Sequence, residues 1–559
     1  MKSNTYHRTV FTLLIALFML GCAHQEPISP QQTDGMVVAA HPQAAELGYD
    51  ILKAGGNAVD AAVGTAIALS VVEPHASGLG GGGGMLIYLN DQDKLTYINY
   101  YPQTGAVPPD TFISRTDAHT ADAVLVPGTV AGLSMALSLY GTMSWEDILL
   151  LSIDRLKAGF IIDSKFNKVI LDSYEVLMEY TETSDIFLNE MLPFEVGDTL
   201  FNEPAMKTLQ VLADEGPDAF YSGEIADSIV AVITRYGGTI TKSDLAAFQA
   251  FEVEPLKGFY RDKQIVSAPP PQSGITLLEI LNILENEDLA ELGNYVSNDA
   301  TLHLVAEAVK LGYADRREYL EDPRFSEIPV IPLISDEYAA ERHSLITAHG
   351  LTNTDSTNTY PGSLDRASQD PIDDPNGSTT HLSIIDKDGN AVSLTQTLSY
   401  YWGSGISTGG FLLNNGMTSF SGGDGVNAIE PNKQPRSTIS PTFIFHGEDL
   451  YLVIGTPGGG RIPGTMVQVI TNILDYGIDP VEANMIPRFY SRDNNIQLKV
   501  ESRFSEAVLE KLVKRGHKVE ILAEVDSYFG GVHLIMIDPV TGTLTGSADP
   551  RRSGVVAGQ

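Results

Sequence analysis

The sequence predicts a mixed α/β (α+β) protein, and three observations carry the prediction. Helical and strand-like segments alternate from Val126 to Leu345. The stretch Ala58 to Val72 reads as a helix that is apolar on nearly every face, which suits burial between layers rather than a surface. Two extended runs flank Lys387-Asp388-Gly389-Asn390, and Asp-Gly between alternating apolar residues signals a hairpin. At 559 residues the chain can form two to four domains or one large fold built from two halves.

Taken in order, residues 1–22 read as a targeting segment. Lys2 and Arg8 supply the positive end, Val10 to Leu20 is mostly apolar, and Gly21-Cys22 follows. The apolar run is too short for a bilayer span, which needs about 20 residues. Cys22 is the only cysteine, so no internal disulfide can form. Its position after Met19-Leu20-Gly21 resembles a bacterial lipobox. The expectation is therefore an exported protein of the bacterial periplasm, lipid-anchored through Cys22, with Ala23 favouring the outer membrane.

A short strand is expected at Met36 to Ala40, then a helix from Pro42 to Ala54 stopped by Gly55-Gly56, with Asn57 capping the apolar helix. Gly78 to Gly84 leads into a strand at Met85 to Leu89. From Thr352 to Ser378 apolar residues almost vanish and Asn, Thr, Ser, Asp, Pro and Gly dominate, the signature of a flexible tether. It ends where the hairpin Thr379 to Leu398 begins. A two-residue Asp388-Gly389 turn would place Thr380 opposite Thr397, and a slipped register would change that.

Composition excludes whole classes. Against 35 Lys+Arg stand 71 Asp+Glu, a formal charge of -36 that opposes nucleic-acid phosphates and anionic membrane surfaces. Gly78 to Gly83 formally fits G-x-G-x-x-G, but a helix precedes it and a strand follows, the reverse of a dinucleotide site. The glycines then serve either close backbone packing or a substrate wall. His381, His446 and His533 are scattered and no His-Glu-x-x-His occurs, so neither a metal nor another cofactor is expected.

The segment Asn376-Gly377-Ser378-Thr379-Thr380-His381 admits two readings: the start of an edge strand, or a threonine nucleophile. A threonine hydroxyl needs a base, and its own α-amine, with a pKa of about 7.7–8.0, can serve once the chain is cut before it.

Ordered motifs favour the second reading. They are Gly55 to Ala62, Leu79 to Gly84, Val126 to Gly132, Ala268 to Gly274, Tyr313-Ala314-Asp315-Arg316, Thr379-Thr380-His381, Pro457-Gly458-Gly459 and Asp549-Pro550-Arg551. Together they resemble the gamma-glutamyltransferase family of N-terminal-nucleophile hydrolases. The resemblance implies a four-layer αββα sandwich, made as one chain and cut between Ser378 and Thr379. Residues 23–378 would form the large subunit, with 352–378 as tether, and residues 379–559 the small catalytic subunit. It further implies that Thr379 is the nucleophile, that Thr397 orients it, and that the N–H groups of Gly458 and Gly459 form the oxyanion hole. The expected partners are a small amide substrate and water or an amino-acid or peptide acceptor, with glutathione hydrolysis as the family default.

The substrate-binding positions depart from the family pattern. Tyr101 stands where the carboxylate-binding arginine is expected, Ser419 where the ammonium-binding aspartate is, and Gly416 and Ser399 where a glutamine and an asparagine are. Ser437 and Thr438 keep the hydroxyl pair, and Arg436 beside them adds a charge that either points to solvent or turns inward. A tyrosine cannot reproduce the bidentate grip of an arginine on a carboxylate. Two substrate classes therefore stay open, γ-glutamyl compounds and glutaryl-type acyl amides, and a non-catalytic envelope binding protein is the rival from another class.

Overall fold

The computed structural model describes residues 31–32, 35–347, 350–351, 378–491 and 497–558. Cys22 with its leader, and the tether residues 352–377, lie outside the described residues.

Fourteen strands build two seven-stranded sheets. In chain order they are β1 (Gln31–Gln32), β2 (Gly35–Ala39), β3 (Gly82–Leu89), β4 (Lys94–Tyr100), β5 (Phe251–Val253), β6 (Leu256–Tyr260) and β7 (Lys263–Ser267). Then follow β8 (Thr380–Asp386), β9 (Ala391–Thr397), β10 (Thr442–His446), β11 (Asp449–Gly455), β12 (His533–Ile537), β13 (Leu544–Ala548) and β14 (Val555–Ala557). One sheet has the order β14-β2-β8-β9-β3-β4-β5, the other β1-β13-β12-β11-β10-β7-β6. Seven helices matter for the site and its surroundings: α1 (Pro42–Lys53), α2 (Ala58–Val72), α3 (Thr129–Tyr140), α4 (Trp145–Leu156), α5 (Gly274–Glu285), α6 (Asp299–Tyr319) and α7 (Ile462–Leu474).

Strand alternation sorts the side chains into layers. Val37, Ala39, Leu382, Ile384, Val392 and Leu394 face outward and pack with α1 and α2. Met36, Val38, Leu86, Ile385, Phe443, Val453 and Ile535 meet between the sheets. Ile265, Ile444, Leu452, Ile454 and Leu534 face α5, α6 and α7 on the other side. The result is the expected four-layer αββα sandwich. All fifteen residues of α2 are buried, and Asn57 caps it through a reciprocal box with Asp60.

The glycine run resolves in favour of backbone packing. Gly82 to Gly84 lie inside β3, which starts three residues before the expected strand. A Cβ on Gly81 would come within 2.3 Å of the Thr397 carbonyl oxygen, and one on Gly83 within 2.4 Å of that of Thr395. Only glycine admits so close a neighbour.

The hairpin register differs from the expected one. Asp386 N–H donates to the Asn390 carbonyl at 2.9 Å, and Gly389 has φ +82°. The loop thus holds three residues with a left-handed glycine last, not a two-residue turn. The Asp386 carboxylate fixes it by accepting from the Asp388 and Asn390 amides at 2.9 and 3.0 Å. The pairing moves by one residue: Thr380 faces Gln396, and Thr379, not Thr380, falls opposite Thr397.

Candidate active site

Thr379 precedes β8 and Thr397 ends β9. By strand alternation both side chains lie on the inter-sheet face with His381, Ser383, Ser393 and Thr395. Thr379 is 2% exposed and Thr397 4%. The Thr379 hydroxyl donates toward the Ser378 carbonyl and lies 3.2 Å from Thr397 Oγ1. Thr397 Oγ1 in turn donates to the Ser378 carbonyl at 2.9 Å and accepts the Ser399 amide at 2.9 Å. Ser399 has φ +83°, a left-handed backbone that a non-glycine residue adopts only when its surroundings hold it there. Here the hold comes from Asn415, which bonds Leu398 O and the Tyr400 amide at 3.0 and 2.9 Å.

The other face of the same bond is clamped as well. Ser378 Oγ donates to the carbonyls of His75 and Ala76, in the turn after α2, at 3.2 and 2.8 Å. The Leu398 amide shares Ala76 O at 3.1 Å. Nothing in the sequence points to this turn, because backbone carbonyls leave no residue signature.

His381 does not serve as a base. Ser383 Oγ donates to His533 O at 3.0 Å, so it accepts from His381 Nε2, which leaves Nδ1 to accept from Thr395. Burial holds its pKa well below the ordinary histidine value. A neutral, fully engaged imidazole orients the strand.

Gly458 and Gly459 follow β11. Ser393 Oγ donates to Ile454 O at 3.1 Å, and Ser393 pairs with Ser383. A Cβ on the next residue, Gly455, would collide with the His381 ring. Passing from residue 454 to 455 therefore moves from the level of Ser383 to that of His381, and the chain continues toward Thr379. Gly458 has φ +141° and Gly459 φ +53°, and their amides meet no acceptor among the described residues. Two unengaged N–H groups in such a turn form an anion-binding concavity.

The remaining positions divide into two groups. Gly416 opens a short turn, Gly416–Ser419, its amide held by Asn414 Oδ1 at 2.9 Å, and Asn415 joins that turn to Leu398 and Tyr400, the residues flanking Ser399. Ser419 O accepts from Asn427 Nδ2 at 2.9 Å. Tyr101 is buried in the same apolar layer as Ile265, Ile444 and Leu452, and its carbonyl accepts from Gln434 Nε2 at 2.7 Å. The Ser437 amide donates to Pro271 O at 2.9 Å, and Thr438 O accepts from Ser440 Oγ. Arg436 is 3% exposed, which removes the solvent-facing alternative. Its Nη1 donates to Arg317 O at 3.1 Å and its Nη2 to Ser421 Oγ at 3.0 Å, while its amide bonds Asn427. It ties the 419–427 loop to the end of α6.

Three residues that sequence spacing left apart meet elsewhere. His303 and His517 lie 2.8 Å apart, each 3.9 Å from Glu307 Oε1. Glu307 already pairs with the buried Lys310 at 2.9 Å. With His303 Nε2 donating to Thr347 O, a histidine–histidine hydrogen bond accounts for the contact, and the lysine supplies the cation that a metal would.

Comparison with known proteins follows the same lines. Residues 44–559 match the family described as gamma-glutamyltranspeptidase. The glutathione hydrolase proenzyme of Escherichia coli (strain K12) is 40% identical over 551 residues, covering 94% of this chain and 91% of the relative. That of Bacillus subtilis (strain 168) is 36% identical over 549 residues, covering 94% and 91%. The crystal structure of cephalosporin acylase from Bacillus halodurans is similar with a TM-score of 0.85 at 29% identity, covering 97% of this chain and 99% of that one. The chain belongs to the gamma-glutamyltranspeptidase family.

Proposed function

We propose that the protein is a self-cleaving amidohydrolase and acyltransferase that works through a Thr379 acyl-enzyme and acts on γ-glutamyl compounds such as glutathione or on a related acyl amide. The observation that carries this reading is the closed set of contacts among Thr379, Thr397 and the Ser378 carbonyl.

Those contacts suit self-cleavage without an outside base. Thr379 Oγ1 attacks the Ser378 carbonyl carbon, its proton passes to Thr397 Oγ1, and the Thr397 proton passes to the carbonyl oxygen. The C–N bond then breaks, the proton goes to the departing nitrogen, and an ester joins Ser378 to Thr379 Oγ1. Water hydrolyses the ester, leaving the Ser378 carboxylate and a free Thr379 amine. In turnover that amine takes the hydroxyl proton as Oγ1 attacks a substrate amide, and delivers it to the leaving nitrogen. The amides of Gly458 and Gly459 receive the oxyanion, each such donor being worth about 10²–10³ in rate. Water or an amino compound takes the acyl group from Thr379.

A second reading of the donor is favoured by Tyr101 and Ser419, which leave the acyl pocket without the family's two charged clamps. Related proteins include the cephalosporin acylase, and glutaryl-type amides are the class that needs no ammonium contact. Export and a lipid anchor at Cys22 belong to the same proposal, resting on the leader and Gly21-Cys22.

Mass spectrometry of the mature protein tests the core of the proposal: two chains are expected, one beginning at Thr379, and Thr379→Ala should stay a single chain. An intact wild type that still hydrolyses substrate would overturn it. Kinetics on γ-glutamyl and glutaryl anilides separate the two donor classes. Cys22→Ser should release the protein from membranes.

A further inference from the structure

The clamp on Ser378 is built over an acid that the acyl-transfer chemistry does not use. Glu73 caps the C-terminus of α2, is 6% exposed, and closes the turn that follows: its carbonyl accepts the Ala76 and Ser77 amides at 3.0 and 3.4 Å. The next two carbonyls of that turn are the ones that hold Ser378, and His75 O also accepts the Trp402 amide at 3.0 Å. The Glu73 carboxyl faces the Thr380 hydroxyl, which lies with Leu382 and Ile384 on the outer face of β8. The two do not close a hydrogen bond: Glu73 Oε2 and Thr380 Oγ1 are both buried with no partner among the described residues. Buried polar atoms left unbonded cost free energy, so a state that joins them is favoured.

A cavity of about 110 Å³ opens beside Glu73 and His75, between residues 160–172 and the chain at Tyr401 and Arg552. It has room for water, which needs about 10–15 Å³ a molecule, so the carboxyl has a route for exchanging its proton. The other titratable groups around it are settled. Burial holds His41 at about 4 and His75 well below the ordinary histidine value, so both imidazoles are neutral near pH 7. Lys165 donates to Pro550 O and Arg552 O, Asp163 accepts from the Phe166 amide and Ser553 Oγ, and Lys168 pairs with Asp172 at the rim. Arg551 pairs with Glu501 and Asp549. Burial raises Glu73 to about 7, while Arg552, whose Nη1 donates to Tyr401 Oη, and the Thr380 hydroxyl favour its charged form.

We infer that Glu73 is a positioning residue for self-cleavage: its ionised carboxylate takes the hydrogen bond of Thr380 Oγ1 and so fixes the residue after Thr379 to the same turn that holds the residue before it. This rests on the self-cleavage reading above. Ser378 is gripped by the turn's carbonyls and Thr380 by its acid, which keeps the Thr379 hydroxyl in line with the Ser378 carbonyl. Protonated Glu73 is a weaker acceptor, since a hydrogen bond to a charged group is roughly twice as strong as a neutral one. No other group in the proposed proton path, from Thr379 through Thr397, titrates near neutrality, so a step in the cleavage rate there reports Glu73.

The test follows the fraction of intact full-length precursor with time, between about pH 5.5 and 8.5, which brackets the Glu73 titration. Wild type, Glu73→Gln and Glu73→Asp are compared, each beside its urea unfolding curve. The wild type should cleave about 5- to 10-fold faster on the alkaline side, with a midpoint near 7. Glu73→Gln should keep the slow rate throughout, because an amide copies the protonated acid, and Glu73→Asp should retain a step because it retains the charge. A Glu73→Gln variant that follows the wild-type profile, or holds the fast rate, overturns the inference. Where that variant shows no urea transition, the wild-type and Glu73→Asp profiles decide, and two flat profiles overturn it. A wild type that stays intact at every pH removes the self-cleavage reading and the inference with it. One that cleaves at a pH-independent rate removes only the inference.

Discussion

Replacing Thr397 by valine isolates one hydroxyl in an almost unchanged shape. The lost oxygen donates to the Ser378 carbonyl at 2.9 Å, accepts the Ser399 amide at 2.9 Å and lies 3.2 Å from Thr379 Oγ1. The first contact strengthens as the carbonyl oxygen gains charge during attack, so its loss acts on the barrier. A preorganised donor of this kind is worth about 10²–10³ in rate, or roughly 2.7–4 kcal/mol. The loss of the proton path from Thr379 adds to this. The cost in folding is smaller, about 1–3 kcal/mol for the Ser399 amide left without a partner. The assay follows the fraction of intact precursor with time on a gel, from freshly made protein, beside urea unfolding of the same variant. Thr397→Val should cleave slowly while remaining folded, and Thr397→Ser should recover most of the rate. A valine variant that cleaves as fast as the wild type would refute the reasoning, because among the described residues no other side chain donates to that carbonyl except that of Thr379.

Three other expectations follow from the same geometry. Gly81→Ala would drive a Cβ to 2.3 Å from the Thr397 carbonyl oxygen, a backbone atom that cannot rotate away, so both Tm and self-cleavage should drop, with about 1–3 kcal/mol of overpacking strain. Asp549 is fully buried, with Arg488 at 2.5 Å and Arg551 at 3.1 Å; Arg551 keeps Glu501 at 2.7 Å, but Asp549→Asn should cost about 3–5 kcal/mol in urea unfolding by taking the carboxylate from buried Arg488. Stability should also fall with acidification: burial lowers His533 and His41 to about 4 and His517 to about 3, so the unfolded chain binds more protons. The loss begins as pH drops below about 6.5 and levels off near those lower values, and Glu73, raised to about 7 by burial, offsets part of it. A Tm that stays flat between those limits would count against neutral buried histidines.

Patterns that depend on one element were legible in the sequence. The all-buried α2 followed from its unbroken apolar faces, and Asn57 as its cap followed from side-chain chemistry. The exclusion of a dinucleotide loop followed from the order helix–glycines–strand, and β3 has that order. The site was legible only where a residue type carries its own chemistry, as Thr379 and Thr397 do. Groups that act through the backbone were not: the His75 and Ala76 carbonyls on Ser378, and the Ser399 amide on Thr397. Arg436 stayed open between two orientations for a related reason, since its charge was visible and its partner, the carbonyl of Arg317, was not.

The hairpin register shows how much hangs on a single loop residue. With a two-residue turn, Thr380 would face Thr397, and Thr379, lying across the strand from it, would point its side chain to the other face of the sheet. No hydrogen bond between Thr379 and Thr397 could form, and the Ser378 carbonyl would lose Thr397 as a donor. The third loop residue is accommodated by Gly389 at φ +82°, and Asp386 holds the loop by accepting from the amides of Asp388 and Asn390. Asp386 also accepts the amide of Ala58, the first residue of α2, at 3.0 Å. One carboxylate therefore sets the register of β8, the strand that Thr379 leads into, and docks that strand on the buried helix. The helix, through the turn that follows it, clamps Ser378 at the opposite end of the same strand. The Ser378–Thr379 bond, the proposed cleavage site, is thus positioned from both ends of β8 by elements that meet only when the first sheet and its helical layer have assembled, so the proposed self-cleavage is expected to follow their assembly.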